Sequence, residues 1–197
     1  MPHQHNYIQN KLWSETERFQ IRSQINSLIC KGAIRRCKST PGQIISSIFL
    51  VPKSDGSSRL ILNLKKLNEF IETEHFKLEN IKVATQLISE DCFMAKLDLS
   101  DAFHLVNMHN SHRKFLRFVF ENQLYEYTCL PFGLCTAPYV FTKIMKPVLH
   151  YLRNAGYISA VYIDDFLLFG LFYRYCLANL RFTRFILQNL PCLNNSV

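Results

Sequence analysis

The sequence has little tryptophan, little glycine and no long apolar run. Its 197 residues include one Trp and six Gly. The longest apolar stretch, residues 166–180, is interrupted by Gly170 and Arg174 and is shorter than the roughly 18 residues of a membrane span. The first ten residues are polar and do not form a signal peptide. We therefore expect an intracellular protein, cytoplasmic and/or nuclear, with no membrane partner.

Several familiar site patterns are also missing. The seven cysteines are odd in number and form no Cys-x-x-Cys pair, so disulfide frameworks and zinc ribbons lack support. There is no Gly-rich phosphate loop and no Gly-x-Ser-x-Gly, which argues against a P-loop ATPase or a serine hydrolase. His104, His109 and His112 have a loose zinc-like spacing, but we favour ordinary surface histidines.

Apolar residues and positive charge are abundant. Hydrophobic residues make up 48% and aromatic residues 13% of the chain, enough for a hydrophobic core. Lys and Arg number 23 against 15 Asp and Glu, giving a formal charge of +8 without a long basic run. Such a surplus favours a polyanionic partner, because bound phosphates release counterions.

The pattern of the first half predicts a helix and a hairpin. Ser14 and Glu17 have capping-box form before apolar residues at helical spacing, and Gly32 would end that helix. Residues 44–51 and 59–64 read as two strands joined by a polar turn.

The rest of the chain predicts further helices and strands. Thr136 is a candidate N-cap with Pro138 in the first turn, and Pro147 should kink that helix. The predicted elements are a helix over 77–89, a buried strand over 93–99, a hairpin of 115–120 and 124–129, a helix from Thr136 to 154, strands over 157–163 and 166–169, and a helix over 177–190.

The sharpest chemical feature is Asp164-Asp165, between two short apolar strands. Adjacent carboxylates repel each other, and a divalent cation would relieve that repulsion; the alternative is a solvated turn. Asp98 ends another predicted strand and could be a third ligand of a two-metal site. The spacing alone does not show that the strands are neighbours.

Four motifs resemble those of reverse transcriptases, in family order. Residues 162–165, Tyr-Ile-Asp-Asp, resemble the Y-x-D-D box, and 97–103, Leu-Asp-Leu-Ser-Asp-Ala-Phe, resemble the first palm motif. Residues 130–141 resemble L-P-x-G-x-x-x-x-P-x-x-F, and 51–68 resemble the fingers motif V-P-K-x-D-G…R…L-N. The resemblance covers about residues 14–190. The residues of these motifs are most similar to those of LTR-like elements of the DIRS or tyrosine-recombinase type, and next most similar to those of Ty3/gypsy-like elements.

The resemblance implies a mixed α/β (α+β) right-hand polymerase fold with an antiparallel palm sheet backed by helices. The implied division is 1–92 for the N-terminal helix and fingers, 93–114 for palm with the first catalytic motif, 115–135 for a fingers hairpin, and 136–197 for palm with the Y-x-D-D hairpin and a truncated last helix. The thumb would be absent.

The resemblance also implies roles for single residues. Asp98, Asp164 and Asp165 would be the catalytic carboxylates and would hold two Mg²⁺ ions, with Mn²⁺ as the alternative. Tyr162 and Ile163 would complete the active-site hairpin. The implied nucleotide-binding set comprises Lys53 and Arg59 over the triphosphate, the backbone N–H groups of Asp101 and Ala102 around the phosphates, Phe103 against a ribose 2′-hydroxyl, and Phe132 with Gly133 in the nucleotide and template pocket. Phe103 and Phe132 could instead be core residues, and Lys53 a solvated lysine.

The implied function is that of a retrotransposon RNA-directed DNA polymerase. Its partners would be an RNA or DNA template with a primer and dNTPs, and its oligomeric state is open. Two positions depart from the usual fingers motif: Ser58 replaces an aromatic and Leu60 replaces a frequent proline. We expect the 197 residues alone to be an incomplete enzyme that is weakly active or inactive. The alternative is a non-catalytic nucleic-acid-binding relic.

Overall fold

The computed structural model describes residues 12–53, 56–76, 78, 85–99 and 101–190. They form two compact units. The first unit contains the described residues up to Thr73 and those of Phe103–Ala137; the second contains those from Glu74 to Ala102 and from Pro138 to residue 190. No helix in these ranges is long and apolar enough to cross a membrane. The assignment of residue ranges to fingers and palm stays a prediction.

Helix α1, Glu15–Cys30, opens the first unit and confirms the predicted capping box. The Ser14 N–H donates to Glu17 Oε2 at 2.8 Å, and the Glu17 N–H donates to Ser14 Oγ at 3.2 Å. These bonds satisfy backbone donors that a helix start leaves free. The buried face comprises Ile21, Ile25 and Leu28.

Two antiparallel sheets complete this unit. The predicted fingers hairpin is present as β2, Ile48–Pro52, paired with β3, Ser58–Leu62. Its first strand starts later than predicted, because residue 45 instead makes an isolated bridge to residue 117. The other sheet consists of β1, Ile34–Arg36, β5, Arg117–Phe120, and β6, Gln123–Tyr127, with β6 in the middle. Two short helices, α2 Lys65–Asn68 and α3 Asn110–Arg113, also belong to this unit.

A buried ion pair joins neighbouring strands β5 and β6 of the three-stranded sheet, although charged residues usually lie at the surface. Arg117 and Glu126 face each other on β5 and β6 and are 5% and 2% exposed. Two Arg117 nitrogens donate to Glu126 Oε2 at 2.8 and 2.7 Å, and Arg35 Nε donates to Oε1 at 2.8 Å. Arg117 Nη1 also donates to Thr40 Oγ1 at 2.7 Å and to Gln43 Oε1 at 2.6 Å. The network satisfies both buried charges.

This network should make the first unit acid-sensitive. Burial alone would raise the pKa of Glu126, but hydrogen bonds from Arg117 and Arg35 outweigh it and hold the pKa below the ordinary 4.5. A lowered folded-state pKa contributes stability that is full above 4.5 and is lost as pH falls through the lowered value. We therefore expect the difference in unfolding free energy between the native chain and Glu126→Gln to become smaller as the pH falls below 4.5. Urea titrations at several pH values measure it, and a pH-independent difference would contradict the assignment.

The second unit is built on a three-stranded antiparallel sheet in the order β4-β8-β7. Strand β4 is Phe93–Asp98, β7 is Ser159–Tyr162 and β8 is Asp165–Gly170. Helix α4, Ala137–Asn154, begins directly after Thr136, has Pro138 in its first turn and contains Pro147, as predicted. A kink at Pro147 stays a prediction.

Helix α5, Tyr173–Gln188, packs on β4 and β8. Buried Asn179 ties it to two chain segments: its Nδ2 donates to the Ile158 carbonyl at 2.7 Å and to the Phe169 carbonyl at 3.0 Å. A Cβ at Gly170 would lie 2.3 Å from the Cys176 nitrogen. Only glycine therefore allows β8 to run this close to the helix.

Two details differ from the sequence-based expectations, and a third lies mostly outside the described residues. The predicted burial of strand β4 is wrong: Phe93, Met94, Lys96 and Asp98 are exposed, and within the described residues β4 pairs with β8 alone. Helix α5 begins at Tyr173 and not at residue 177, with exposed aromatic side chains in its first turn. The helix expected over 77–89 lies mostly outside the described residues; 85–87 are helical.

Candidate functional site

A two-residue turn joins β7 and β8. Tyr162 pairs with Asp165, which confirms the predicted tight hairpin. Its turn consists of Ile163 and Asp164, one residue earlier than predicted, and Asp165 is the first residue of β8. Ile163 has φ +57°, a left-handed conformation that β-branched residues rarely adopt. Such a conformation costs about 1–3 kcal/mol and persists only where the surroundings enforce it. The flanking strands therefore hold two neighbouring carboxylates at the end of the sheet.

Asp98 lies at the same end of the sheet. It is the register partner of Asp165 across β4 and β8. Beyond it, the Leu99 N–H donates to the Asp164 carbonyl at 3.0 Å. The structure thus brings together the three aspartates, whose adjacency the sequence spacing could not show.

Lys96 is a fourth charged residue at this site. Its Nζ lies 2.8 Å from Asp165 Oδ1. The hydrogen bond to Asp165 and then the charge of Asp165 raise the pKa of Lys96, and the charges of Asp98 and Asp164 add to the effect. Lys96 was not among the site residues predicted from the sequence. The alternation of side chains along a strand could have indicated it, because Lys96 and Asp98 are two residues apart and therefore lie on one face of β4.

The aspartates suit a divalent cation in chemistry and backbone placement, but their side chains are not gathered around one point. Among the described residues, no group of three or more His, Cys, Asp or Glu side chains could hold a metal ion. The zinc alternative at His104, His109 and His112 therefore has no structural support. Magnesium prefers carboxylate oxygens, usually one or two with substrate phosphates, so the three aspartates supply the right donor type. In this structure Asp165 instead contacts Lys96.

The first unit places an arginine over an aromatic ring. The Arg59 guanidinium carbon is 4.4 Å from the centre of the Phe132 ring. That ring meets Phe103 edge-to-face at 5.2 Å between centroids. Arg59 is exposed, Phe132 half-buried and Phe103 9% exposed. Arg59 and Phe103, both predicted to contact the nucleotide, therefore each contact Phe132, a third residue of the predicted set.

Asn68 holds the loop that carries Phe132. Its Nδ2 donates to the Gly133 carbonyl at 2.9 Å, and its Oδ1 accepts from the Cys135 N–H at 3.1 Å. Gly133 has φ +96°, and a Cβ there would lie 3.1 Å from the Leu62 carbonyl oxygen. A side chain at 133 would therefore be strained and crowded. Asn68 ends the fingers-like motif in the sequence, but this role was not predicted for it.

The other predicted site residues lie at chain turns. Lys53 is exposed at the end of the fingers hairpin, and its N–H donates to the Ser57 carbonyl at 2.8 Å. Asp101 has φ +56°, and Ala102 is buried at 2% exposure; both belong to the second unit.

Residues 51–176 match a family model described as reverse transcriptase (RNA-dependent DNA polymerase). The chain is 29% identical over 155 residues to the retrovirus-related Pol polyprotein from transposon opus of Drosophila melanogaster, covering 78% of the chain and 15% of that protein. It is 26% identical over 148 residues to the transposon Tf2-3 polyprotein of Schizosaccharomyces pombe, covering 75% and 11%. The chain thus spans a small part of its relatives. They are of the Ty3/gypsy-like type, the second of the two classes expected, and the DIRS assignment stays a prediction.

Solved structures share the fold. The foamy viral protease-reverse transcriptase in complex with dsDNA has a TM-score of 0.76 at 19% identity, covering 92% of this chain and 37% of that one. The same viral enzyme in complex with an RNA/DNA hybrid has a TM-score of 0.76 at 21% identity, covering 92% and 24%. With more than half of its residues in the matched range, the chain belongs to the reverse transcriptase (RNA-dependent DNA polymerase) family.

Proposed function

We propose that this chain carries out RNA-directed DNA synthesis, adding a deoxynucleotide to a primer 3′-hydroxyl. The observation that carries this proposal is the register pairing of Asp98 with Asp165, beside Asp164 in the turn. All three residues lie within the range that matches the family model. Enzymes of this family generally use divalent metal ions.

The aspartates would hold two Mg²⁺ ions, and Mn²⁺ could replace them. When bound, such ions lower the pKa of the attacking hydroxyl and neutralise the triphosphate. The protein's own contribution is geometric. The register of β4 and β8 fixes the backbones of Asp98 and Asp165, while the strained turn fixes Asp164. Backbones held in this way limit the reorganisation to the aspartate side chains.

In the first unit, Arg59 and Lys53 would bind the triphosphate of the incoming nucleotide. A guanidinium offers planar donors for phosphate oxygens, whereas an ammonium acts as a point charge. Stacking on Phe132 orients the Arg59 fork, and the Asn68 bonds hold the Phe132 loop. In the second unit, the backbone N–H groups of Asp101 and Ala102 would bind phosphate oxygens.

A primer–template duplex is the proposed partner. The solved relative was captured with dsDNA and with an RNA/DNA hybrid. This chain's charge of +8 favours phosphate binding, and that binding should weaken as salt rises. The proposed fingers are 1–92 and 115–135, and the proposed palm is 93–114 and 136–197.

Single-nucleotide extension of a DNA primer on an RNA template tests the function. If the 197 residues alone extend too slowly to measure, the chain is joined after Leu190 to the following segment of a related retrotransposon polyprotein. Mg²⁺-dependent extension that Asp98→Asn abolishes supports the proposal. Duplex binding without extension in either form would support the non-catalytic relic instead.

Phe103 is expected to exclude ribonucleotides by bulk, since steric rejection acts against the wrong substrate. Phe103→Val should lower the ratio of dNTP to rNTP incorporation efficiency by on the order of tenfold or more, corresponding to about 1.4 kcal/mol. The control is Phe118→Val, at a fully buried phenylalanine in the same unit. It should cost stability without changing the ratio. An unchanged ratio in Phe103→Val would make Phe103 a core residue only.

A further inference from the structure

Lys96 occupies the acidic end of the second unit's sheet. Its Nζ is 2.8 Å from Asp165 Oδ1, and its side chain is 67% exposed. The charges of Asp98 and Asp164 also act on its ammonium. One cation therefore interacts with all three carboxylates of the proposed metal site.

The strand register puts Lys96 there. Asp98 pairs with Asp165, and Lys96 pairs with Leu167. Residues two apart on a strand share a face, so Lys96 follows Asp98 along one side of β4. Its flexible four-carbon side chain reaches diagonally to the carboxylate on β8. Its side chain is 67% exposed, so the ammonium can leave Asp165 without breaking packing among the described residues.

We propose that Lys96 is a built-in counter-ion of the carboxylate site, which a divalent cation must displace from Asp165 on binding. Lys96 is then a positioning residue that sets metal affinity, and this inference rests on the proposed function.

Two effects lead to that competition. First, an Asp165 oxygen that accepts from an ammonium is less available as a metal ligand. Second, a divalent cation bound at these aspartates would be repelled by the nearby ammonium. The contact is weak, because exposed ion pairs contribute little in water. Lys96 should therefore tune metal affinity without preventing binding. In the metal-free protein it offsets the mutual repulsion of the aspartates.

Mn²⁺ binding to the 197-residue chain tests this inference without requiring activity. Free Mn²⁺ is measured by electron paramagnetic resonance at moderate salt. Lys96→Met keeps most of the side chain's length and removes its charge. We expect its Kd for Mn²⁺ to fall on the order of tenfold, from Coulomb repulsion reduced by salt screening. Lys96→Arg keeps the charge and should keep the Kd close to that of the native chain.

Lys66→Met is the matched control. Lys66 is an exposed lysine on α2 in the other unit, so its loss changes net charge equally without touching the aspartates. The Kd of Lys66→Met should equal that of the native chain. A purely structural role for Lys96 would instead lower the unfolding temperature of Lys96→Met and leave the Kd unchanged.

The outcomes separate this inference from the proposed function. Equal Kd values for Lys96→Met and the native chain overturn the counter-ion role, including the case in which neither binds Mn²⁺ at millimolar concentration. If the native chain binds Mn²⁺ and Asp98→Asn binds it more weakly, the assignment of the aspartates as the metal site survives. If Asp98→Asn leaves binding unchanged, the proposed metal site itself is wrong.

Discussion

Replacing Asp98 with asparagine is expected to slow nucleotide incorporation by about a thousandfold or more and to leave duplex binding unchanged. The change removes one anionic ligand and keeps the side-chain shape. Metal ions contribute several kcal/mol of transition-state stabilisation, and about 4 kcal/mol corresponds to a factor of about a thousand. Duplex binding depends instead on Lys and Arg contacts with phosphate.

The assay compares single-turnover extension with filter binding of the same primer–template. Asp91→Asn is the matched control, because it makes the same chemical change just before β4, at the opposite end of that strand. Asp91 has φ +60°, which asparagine tolerates. Asp91→Asn should retain full activity. If Asp98→Asn extends the primer as fast as the native chain, the end of the sheet where Asp98 pairs with Asp165 is not the metal site.

The second large effect concerns stability. Glu126→Gln should lower the free energy of unfolding of the first unit by about 3–5 kcal/mol, the typical cost of breaking a buried ion pair. The neutral amide would leave the buried Arg117 guanidinium without its counter-charge. It would also lose the hydrogen bond from Arg35, because an amide has one acceptor oxygen where a carboxylate has two. Urea denaturation followed by fluorescence of Trp13, the chain's one tryptophan, reports on this unit.

Glu121→Gln provides the comparison within the same hairpin. Glu121 also accepts hydrogen bonds from an arginine, Arg22, at 2.9 Å, but both side chains are exposed. An exposed ion pair gains little free energy over the hydration of its two separate charges. Glu121→Gln should therefore have a urea midpoint close to that of the native chain. Similar midpoints for the two variants would show that burial does not determine the contribution of Glu126.

Local signals in the sequence predicted local structure well. The Ser14 capping box, the Asp164-Asp165 hairpin and the helix after Thr136 each depend on residues close together in the chain, and the structure contains all three. The start of α5 was placed at 177 and not at Tyr173, because the first turn exposes Tyr173 and Tyr175 and so lacks the apolar spacing of the rest of the helix.

Features set by strand register could not be predicted. Lys96 and Glu126 each interact with residues distant in sequence, and alternation alone does not name a partner strand. Glu126 was missed because a charged residue on a strand is ordinarily solvated, and its burial requires Arg117 and Arg35 together. The exposure of β4 was missed because an apolar strand at a sheet edge has the same sequence pattern as a central strand.

The β4–β8 pairing also bears on the order of folding. Strands β7 and β8 are joined by two residues, so the segment holding Asp164 and Asp165 can form quickly from local contacts. Asp98 joins them only when β4 pairs with β8, and positions 98 and 165 are 67 apart in the chain. Closing so long a loop costs entropy before any contact forms. We therefore expect the acidic cluster to assemble late in folding, together with the Lys96 contact that β4 also brings.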